Sequence, residues 1–385
     1  MVKRDLTLKL LELAKKFPII ALIGPRQSGK TTLAQAVFPD YHYISLEDLD
    51  HREFAQKDPR GFLASYANGV IIDEAQHVPS LFSYLQTHVD KLDEPGKFIL
   101  TGSQNFLLSE KINQSLAGRV AFLNLLPLSL QELKQSDHTI ERYEDLIFQG
   151  CYPRIYDKGI NPSDWYQNYI LTYIERDVRQ IKNILDIGQF QTFLKMCASR
   201  IGQLINLSSL ANDCGITHNT AKSWLSLLEQ SFIIFTLKPF HENFGKRLVK
   251  MPKLYFYDTG FVCSLLGVEN AEAISTHYLK GALFENMVMV ELLKARFNQG
   301  LTSNLTFWRD KVGHEIDCII EQNKKVIPVE MKAGHTVSSD YFNNINYWKK
   351  LSETDAPAYV VYGGTEKQLR EGTTLLSWNQ LQEIS

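Results

Sequence analysis

The chain has 385 residues, and its 41 Lys and Arg against 43 Asp and Glu give a formal net charge of −2 at pH 7. The length predicts about two to three domains, and 44% hydrophobic with 22% charged residues is ordinary for globular proteins. This balance excludes a generally basic surface, so any contact with nucleic acid must come from local patches. No apolar run approaches membrane-spanning length, so we expect a cytoplasmic protein with no membrane partner. Scattered cysteines without a C-x-x-C pair favour reduced core residues over a zinc site or disulfides.

The chain opens with an amphipathic helical pattern from Val2 to Lys16, followed by an apolar run from Ile19 to Ile23. That run leads into a sequence that fits the phosphate-loop pattern G-x-x-x-x-G-K-[ST]. Its residues are Gly24, Pro25, Arg26, Gln27, Ser28, Gly29, Lys30 and Thr31, and Thr32 lies at the start of the next helical stretch. In such a loop, successive backbone N–H groups surround phosphate oxygens, and the following helix points its positive end at the same anion.

We therefore predict that residues 24–32 bind ATP. Lys30 is expected to reach the β and γ phosphates, and the Thr31 hydroxyl is expected to bind Mg²⁺, which prefers oxygen ligands. The alternative is a glycine turn in another kind of α/β protein.

A second buried-strand signal, Val70 to Ile72, ends in two carboxylates, Asp73 and Glu74. The carboxyl ends of parallel strands meet at one sheet edge, so we expect both side chains beside the phosphate loop. Asp73 is predicted to hold Mg²⁺ through water, and Glu74 to polarise the hydrolytic water as a general base. The alternative is a solvated acidic loop.

The first third of the chain alternates strand and helix patterns, which predicts a parallel sheet with helices on both faces. The predicted strands are residues 18–23, 41–46, 69–73, 97–101 and 120–125. Pro79 suits the first turn of a helix that runs toward Lys91.

Two further polar residues become candidates for the nucleotide site because of their positions next to the predicted strands. The fourth strand ends in Thr101-Gly102-Ser103-Gln104, which makes Ser103 the predicted sensor of the γ-phosphate. Before the fifth strand, the segment from Ser115 leads to Arg119, whose guanidinium is a candidate arginine finger for the nucleotide of a neighbouring subunit. That role implies a homo-oligomer, whereas the alternative for Arg119 is a surface salt bridge.

These segments resemble the prokaryotic AAA+ superfamily ATPases often called archaeal-type ATPases. The resemblance is carried by Gly24–Thr31, Ile71–Glu74, Thr101–Ser103, Leu116–Arg119, Leu126–Leu128 and Gly150–Arg154. The segment Tyr173–Val178 and the last third of the chain resemble the restriction-endonuclease-like region of unknown function that is usually fused to that ATPase. The resemblance implies that Pro153 belongs to a lid motif that reports nucleotide state, although residues 150–154 alone indicate only a turn.

The middle of the chain has a helix-turn-helix pattern, with helices at 207–212 and 217–230, a turn at Cys214-Gly215 and a wing strand at 232–237. Thr217 is expected to cap the second helix. The leading face carries His218, Asn219, Thr220 and Lys222. This pattern predicts a winged helix that enters a DNA major groove, but the low positive charge of the face leaves a lid or protein-docking role open. A basic cluster of Lys246, Arg247, Lys250 and Lys253 indicates either a phosphate-contacting patch or a solvated loop.

The last third predicts a helix, three strands, a helix and a strand, the order found in the core of PD-(D/E)xK nucleases. The predicted elements are residues 278–297, 305–309, 314–321, 325–331, 341–351 and 358–362. Asp317 lies on the second of these strands, and Glu330, Met331 and Lys332 end the third.

Asp317 and Glu330, with the Met331 carbonyl and Glu285 from the helix, are predicted to hold one or two Mg²⁺ ions. Lys332 is predicted to orient or activate the attacking water for phosphodiester hydrolysis. Ile316 stands where the motif name would have proline. The alternative is a structural salt bridge among Asp317, Glu330 and Lys332 in a fold that has lost its activity.

We therefore predict an α/β chain with an AAA+ phosphate-loop ATPase domain at 1–126, a helical lid at 127–184, a winged-helix-like domain at 185–245 and a PD-(D/E)xK nuclease-like domain at 246–385. Its expected cofactors are ATP and Mg²⁺, and its expected partner is DNA. The predicted catalytic residues are Lys30, Glu74, Ser103, Arg119, Glu330 and Lys332. The alternatives are a nucleotide-dependent regulatory switch and a DNA remodeller with an inactive nuclease fold.

Overall fold

Residues 1–128, together with the short segments 230–232 and 296–302, form one structural unit, and residues 129–229, 233–295 and 303–385 form another. The computed structural model describes residues 2–66, 68–92, 94–103, 116–136, 138–173, 186–240, 249–322, 325–353 and 356–384. Several residues of the sequence predictions lie outside the described residues, namely Gln104, Ser115, Ile174–Val178, Lys246 and Arg247.

The first unit is built on a parallel sheet, which in the described residues has five strands in the order β2-β3-β4-β1-β5. The strands are β1 (Ile19–Ile23), β2 (His42–Ser45), β3 (Val70–Asp73), β4 (Phe98–Gly102) and β5 (Val120–Asn124). The helices are α1 (Thr7–Ala14), α2 (Lys30–Val37), α3 (Leu49–Lys57), α4 (Pro59–Ala64) and α5 (Leu81–Leu92), with a 3₁₀ turn at Ala75–His77. The predicted strands are thus confirmed, with ends that differ slightly.

The interior strand β1, between β4 and β5, is buried along its whole length, as expected for a parallel strand that is covered on both faces. Leu6 and Leu10 at the start of the chain pack with Leu22 of β1 and Leu33 of α2 in one hydrophobic core. In the sheet register, Ile23 lies between Gly102 and Asn124. The carboxyl ends of these strands therefore meet at the edge where the phosphate loop begins.

The second unit begins with helices. They are α6 (Leu130–Lys134), α7 (Tyr143–Gln149), α8 (Pro153–Lys158), α9 (Pro162–Tyr173), α10 (Ile187–Ala198), α11 (Leu207–Asp213) and α12 (His218–Gln230). Between α11 and α12, Gly215 has φ +65, which is the left-handed conformation that suits a tight turn. The Thr217 hydroxyl accepts a hydrogen bond from the Thr220 N–H at 3.1 Å, so the predicted helix cap is confirmed. Two antiparallel strands follow, β6 (Ile234–Leu237) and β7 (Lys253–Phe256).

The remaining elements form a mixed sheet, which in the described residues has six strands in the order β12-β13-β11-β10-β9-β8. The strands are β8 (Leu305–Arg309), β9 (Glu315–Gln322), β10 (Lys325–Lys332), β11 (Tyr359–Tyr362), β12 (Gln368–Arg370) and β13 (Thr373–Ser377). The helices are α13 (Thr259–Leu266), α14 (Ala271–Ile274), α15 (Lys280–Asn298) and α16 (Asn343–Ser352), with 3₁₀ turns at Ser339–Phe342 and Leu381–Glu383.

Strand β9 is antiparallel to both of its neighbours, β8 and β10, and β11 pairs in parallel with β10 after the α16 crossover. Trp348 of α16 packs with Trp308 of β8 and Ile319 of β9 in a buried core. The predicted order of helix, three strands, helix and strand is present, and β12 and β13 extend the sheet beyond it.

Two composition-based expectations bear on the core and the surface. All five cysteines lie among the described residues and are free and buried, as predicted for reduced core positions. No helix in the described part of the chain combines the length and apolar character needed to cross a membrane.

Candidate nucleotide site and carboxylate cluster

The phosphate loop connects β1 to α2, and its backbone needs glycine at two positions. Gly29 has φ +93, and helix α2 begins directly after it at Lys30. Gly24 lies so close to the carbonyl oxygen of Leu125 that a Cβ atom at this position would collide with it. The loop is therefore held against the end of β5, with the positive end of α2 directed at the space inside the loop.

The Lys30 ammonium folds back over this loop. Its Nζ donates hydrogen bonds to the carbonyl oxygens of Gly24 at 3.0 Å and Pro25 at 2.7 Å, and the residue is 6% exposed. A cation is therefore fixed at the mouth of the loop by neutral acceptors, which a phosphate oxygen can replace.

Asp73 at the end of β3 is the centre of the polar site beside the loop. Its Oδ2 accepts hydrogen bonds from the Thr31 hydroxyl at 3.0 Å and the Tyr43 hydroxyl at 3.0 Å, while its Oδ1 accepts from the Thr101 hydroxyl. Burial and the Asp73 carboxylate raise the pKa of Tyr43, so this hydroxyl stays protonated and donates. The two predicted magnesium ligands of this site, Thr31 and Asp73, are thus in direct contact.

Glu74 and Ser103 are also brought together. Glu74 has φ +51, an uncommon left-handed conformation for a residue with a side chain, and its Oε2 accepts from the Ser103 hydroxyl at 3.2 Å. The Gln76 amide donates to the same oxygen. Ligand atoms of Glu74, Glu47 and His77 lie within 4.8 Å of one another. Sequence reasoning missed Glu47 and His77, because they come from separate segments and fit no motif.

Arg119 is engaged on the surface of the first unit. Its guanidinium forms a two-pronged ion pair with Asp90, with Nη2 at 2.9 Å from Oδ2, and Nη1 donates to the Ala117 carbonyl at 3.1 Å. This hydrogen bonding lowers the pKa of Asp90. The surface salt bridge, one of the two roles considered for Arg119, is present in the isolated chain, and the finger role stays a prediction.

The second group of predicted site residues forms a carboxylate cluster in the second unit, at the ends of β9 and β10 and on α15. Glu330 is 0% exposed, and its Oε2 accepts from Lys332 Nζ at 2.7 Å. The Asn344 amide reaches its Oε1 at 3.4 Å. Asp317 Oδ2 accepts from the Met331 N–H at 2.8 Å.

Burial raises the pKa of two of these carboxyl groups, and the nearby Asp317 carboxylate raises both further. The pKa of Glu330 is raised to about 8, against the opposing effect of Lys332. The pKa of Glu285 is raised to about 7, against the opposing effect of Lys253. The Asp317 carboxylate is therefore near enough to both groups to disfavour their ionised forms.

Lys253 is a member of this cluster that sequence reasoning assigned elsewhere. It lies on β7, is 2% exposed, and its Nζ is 3.0 Å from Glu285 Oε1 and also pairs with Glu315. The Tyr255 hydroxyl donates to the same Glu285 oxygen. The interpretation of Lys253 as part of a basic patch or a solvated loop is therefore wrong, since two carboxylates compensate its buried charge. Lys250 of that predicted cluster is exposed.

Comparison with known proteins shows the family to which the chain belongs. Residues 16–134 match a family model described as an AAA domain, and residues 140–272 and 280–381 match two models described as domains of unknown function (DUF8612 and DUF4143). An uncharacterized protein of Mycobacterium tuberculosis is 30% identical over 342 residues, covering 87% of this chain and 75% of the relative. The chain belongs to the family of this mycobacterial protein.

The family extends to archaea. An uncharacterized protein of Methanocaldococcus jannaschii is 25% identical over 369 residues, covering 87% of this chain and 78% of the relative. Among solved structures, a Walker-type ATPase of Pyrococcus abyssi is 15% identical with a TM-score of 0.48, covering 69% of this chain and 96% of that one. AMPPCP-bound DnaA from Aquifex aeolicus is 15% identical with a TM-score of 0.32, covering 58% and 85%.

The AAA domain and the parallel sheet confirm the prediction of a phosphate-loop ATPase fold at the amino end. The carboxylate cluster is divided between the two models of unknown function. Glu285, Asp317, Glu330 and Lys332 fall within residues 280–381, whereas Lys253 falls within residues 140–272. The winged helix and the nuclease-like domain stay predictions for this family.

Proposed function

We propose that the first unit binds and hydrolyses ATP with Mg²⁺. The observation that carries this proposal is the hydrogen bond between Thr31, directly after the loop lysine, and Asp73, at the end of the neighbouring buried strand. A hydroxyl and a carboxylate at this separation would hold one Mg²⁺, Thr31 directly and Asp73 through water, and the ion would neutralise phosphate charge.

The loop supplies the rest of the nucleotide site. Backbone N–H groups of residues 24–32 surround the phosphates, and Lys30 exchanges its carbonyl partners for β- and γ-phosphate oxygens. Glu74 holds the hydrolytic water, and Ser103, already bonded to Glu74, reports the γ-phosphate. In a homo-oligomer, Arg119 leaves Asp90 and reaches the nucleotide of the neighbouring subunit.

This proposal is tested by isothermal calorimetry and phosphate release with ATP and Mg²⁺. We expect Lys30→Ala to lose ATP binding, and Glu74→Gln to bind ATP but not to hydrolyse it. The exposed Lys57→Ala is the matched control and is expected to behave like wild type. If the wild-type chain binds neither adenine nor guanine triphosphates, the proposal is wrong.

We further propose that the second unit binds DNA and couples nucleotide state to metal-dependent phosphodiester hydrolysis. The predicted lid (127–184), winged helix (185–245) and nuclease-like domain (246–385) supply the parts. Support comes from the strand order β8-β9-β10 with the α16 crossover to β11, and from the pairing of Glu330 with Lys332 at the end of β10. The helices α11 and α12 followed by the β6–β7 hairpin support the winged helix.

In this role, Glu285, Asp317 and Glu330 would hold the metal ion, and the ion would supply Lewis-acid stabilisation of the phosphate and a nucleophilic water. In the described residues the ligand atoms of these three side chains do not all lie within 4.8 Å of one another, so metal binding requires them to move together. Carboxylate oxygens are donors that Mg²⁺ prefers, and Lys332 is placed to orient the water. The test incubates the full chain with linear and circular DNA, ATP and either Mg²⁺ or Mn²⁺. We expect cleavage by wild type and none by Lys332→Ala, whereas intact DNA in every sample that hydrolyses ATP contradicts nuclease activity.

A second candidate function is a nucleotide-dependent regulatory switch or DNA remodeller with an inactive nuclease fold. The specific observation in its favour is that the buried Lys253 ammonium already pairs at 3.0 Å with Glu285, one of the predicted metal ligands. This candidate predicts that Glu330→Ala and Lys332→Ala retain nucleic-acid binding, and that a remodeller shows DNA-stimulated ATP hydrolysis without cleavage.

A further inference from the structure

Arg4 is a buried cation directly behind the phosphate loop. It is 7% exposed, and its guanidinium donates from Nη1 to the Ser28 carbonyl at 2.7 Å and from Nη2 to the Leu126 carbonyl at 2.6 Å. Arg4 precedes the residues matched by the AAA domain model, which begin at residue 16. No motif identifies it.

The backbone of Arg4 is also held in place, by hydrogen bonds at the start of α1. Its carbonyl accepts hydrogen bonds from the Thr7 N–H at 3.1 Å and from the Thr7 hydroxyl at 2.6 Å, at the start of α1. Leu6 and Leu10 are 0% exposed in the core that includes β1 and α2. A buried guanidinium is costly unless hydrogen-bonded, so this side chain is held in one place by its acceptors and by the packing of α1.

The bond to Ser28 has a consequence for the inside of the loop. In a planar trans peptide, the carbonyl of one residue and the N–H of the next point in opposite directions. A Ser28 carbonyl that is held toward Arg4 therefore turns the Gly29 N–H to the other side of the peptide, where the loop encloses its ligand.

The second bond ties the loop to the strand edge. Leu126 follows Leu125, whose carbonyl oxygen is the close neighbour of Gly24 at the other end of the loop. Arg4 therefore joins the late part of the loop to the same short segment on which the early part rests. Its positive charge is also placed where poor solvation lets it act on an anion in the loop.

We propose that Arg4 is a positioning residue for the diphosphate portion of a bound nucleotide. It orients the Gly29 N–H and holds the loop open at the width of a phosphate, without touching the nucleotide itself. This inference rests on the proposed nucleotide binding and adds the amino-terminal segment to the site.

The test measures the affinities of the full chain for ATP, ADP and AMP by calorimetry and competition, and melting temperature in parallel. Arg4→Met removes the two N–H donors to Ser28 and Leu126, whereas Arg4→Lys keeps the positive charge but not the planar guanidinium. The matched control is Lys3→Met, at the exposed neighbouring residue. We expect Arg4→Met to weaken ATP and ADP by roughly tenfold or more, since a charge-assisted hydrogen bond contributes about that factor. We expect Arg4→Lys to bind ATP and ADP with intermediate affinity. Because AMP lacks the β-phosphate, Arg4→Met should bind AMP with the same affinity as wild type.

A purely structural role would lower the melting temperature without separating ADP from AMP. Folded Arg4→Met with wild-type affinity for ATP overturns the inference. Where Arg4→Met does not fold, Arg4→Lys decides, because unchanged ATP affinity in that variant also overturns it. Absence of ATP binding by wild type is a different result, since it refutes the proposed function.

Discussion

The nucleotide site and the carboxylate cluster both collect acidic and basic side chains at the ends of strands, but they neutralise charge differently. In the nucleotide site, Lys30 is held by neutral carbonyls and Asp73 by hydroxyl groups. In the carboxylate cluster, Lys253 and Lys332 already pair with carboxylates. The lysine of the first site thus donates to main-chain carbonyl oxygens that a phosphate oxygen can replace, whereas the lysines of the second are paired with carboxylates of the protein.

The largest expected effect comes from removing the internal cation of the cluster. Lys253→Met removes the buried ammonium from the partly buried Glu285 and Glu315, which is expected to cost about 3 kcal/mol in the free energy of unfolding. Tyr255 remains as a partner of Glu285, and Arg309 remains as a partner of Glu315. Urea denaturation of the full chain measures it. The exposed Lys250→Met is the control, and equal stability of both variants would show that the cluster does not depend on its own cation.

A somewhat smaller effect is expected in the nucleotide site. Asp73→Asn keeps the size of the side chain and removes the charge proposed to hold Mg²⁺, so we expect ATP turnover to fall by about 100-fold or more. Steady-state phosphate release at saturating Mg²⁺ checks this, with the exposed Asp50→Asn as control. Retained turnover in Asp73→Asn would show that ATP hydrolysis does not need the charge of Asp73.

A weaker effect is expected from Tyr43→Phe, which deletes one of the hydroxyl donors to Asp73. Thr31 and Thr101 still hold that carboxylate, so turnover is expected to fall by less than about tenfold. Titrating Mg²⁺ against ATPase rate measures the change. A loss as large as that of Asp73→Asn would mean that Tyr43 itself contacts the reacting groups.

The smallest effect concerns the surface pair of Arg119 and Asp90. Asp90→Ala is expected to leave the free energy of unfolding nearly unchanged, because both side chains face solvent. A finger role also requires Arg119→Ala to lower kcat while Asp90→Ala does not. Equal kcat values for the two variants would restrict Arg119 to its salt bridge.

The difference between the two sites also explains how far the sequence could predict them. The strands of the first unit and the loop from Gly24 to Thr31 were predictable because their signals are local, an apolar run followed by glycines at fixed spacing. The order of elements from α15 to β11 was predictable for the same reason.

The residues that could not be predicted contact partners that are far away along the chain. Lys253 meets Glu285 over a separation of 32 residues, and Arg4 reaches Ser28 and Leu126 over 24 and 122 residues. Neither residue is marked as buried by its own type, since a basic residue usually faces solvent. Only tertiary packing shows which carboxylate or carbonyl each one meets.

The pairing of β6 with β7 places Lys253 directly across the ladder from Leu237. A displacement of this hairpin relative to α15 must withdraw the ammonium from Glu285, because the strand and its side chain move together. The carboxylates that lost this ammonium would then attract a cation from solution. The affinity of these carboxylates for a metal ion would therefore depend on the position of β7, which carries their ammonium partner.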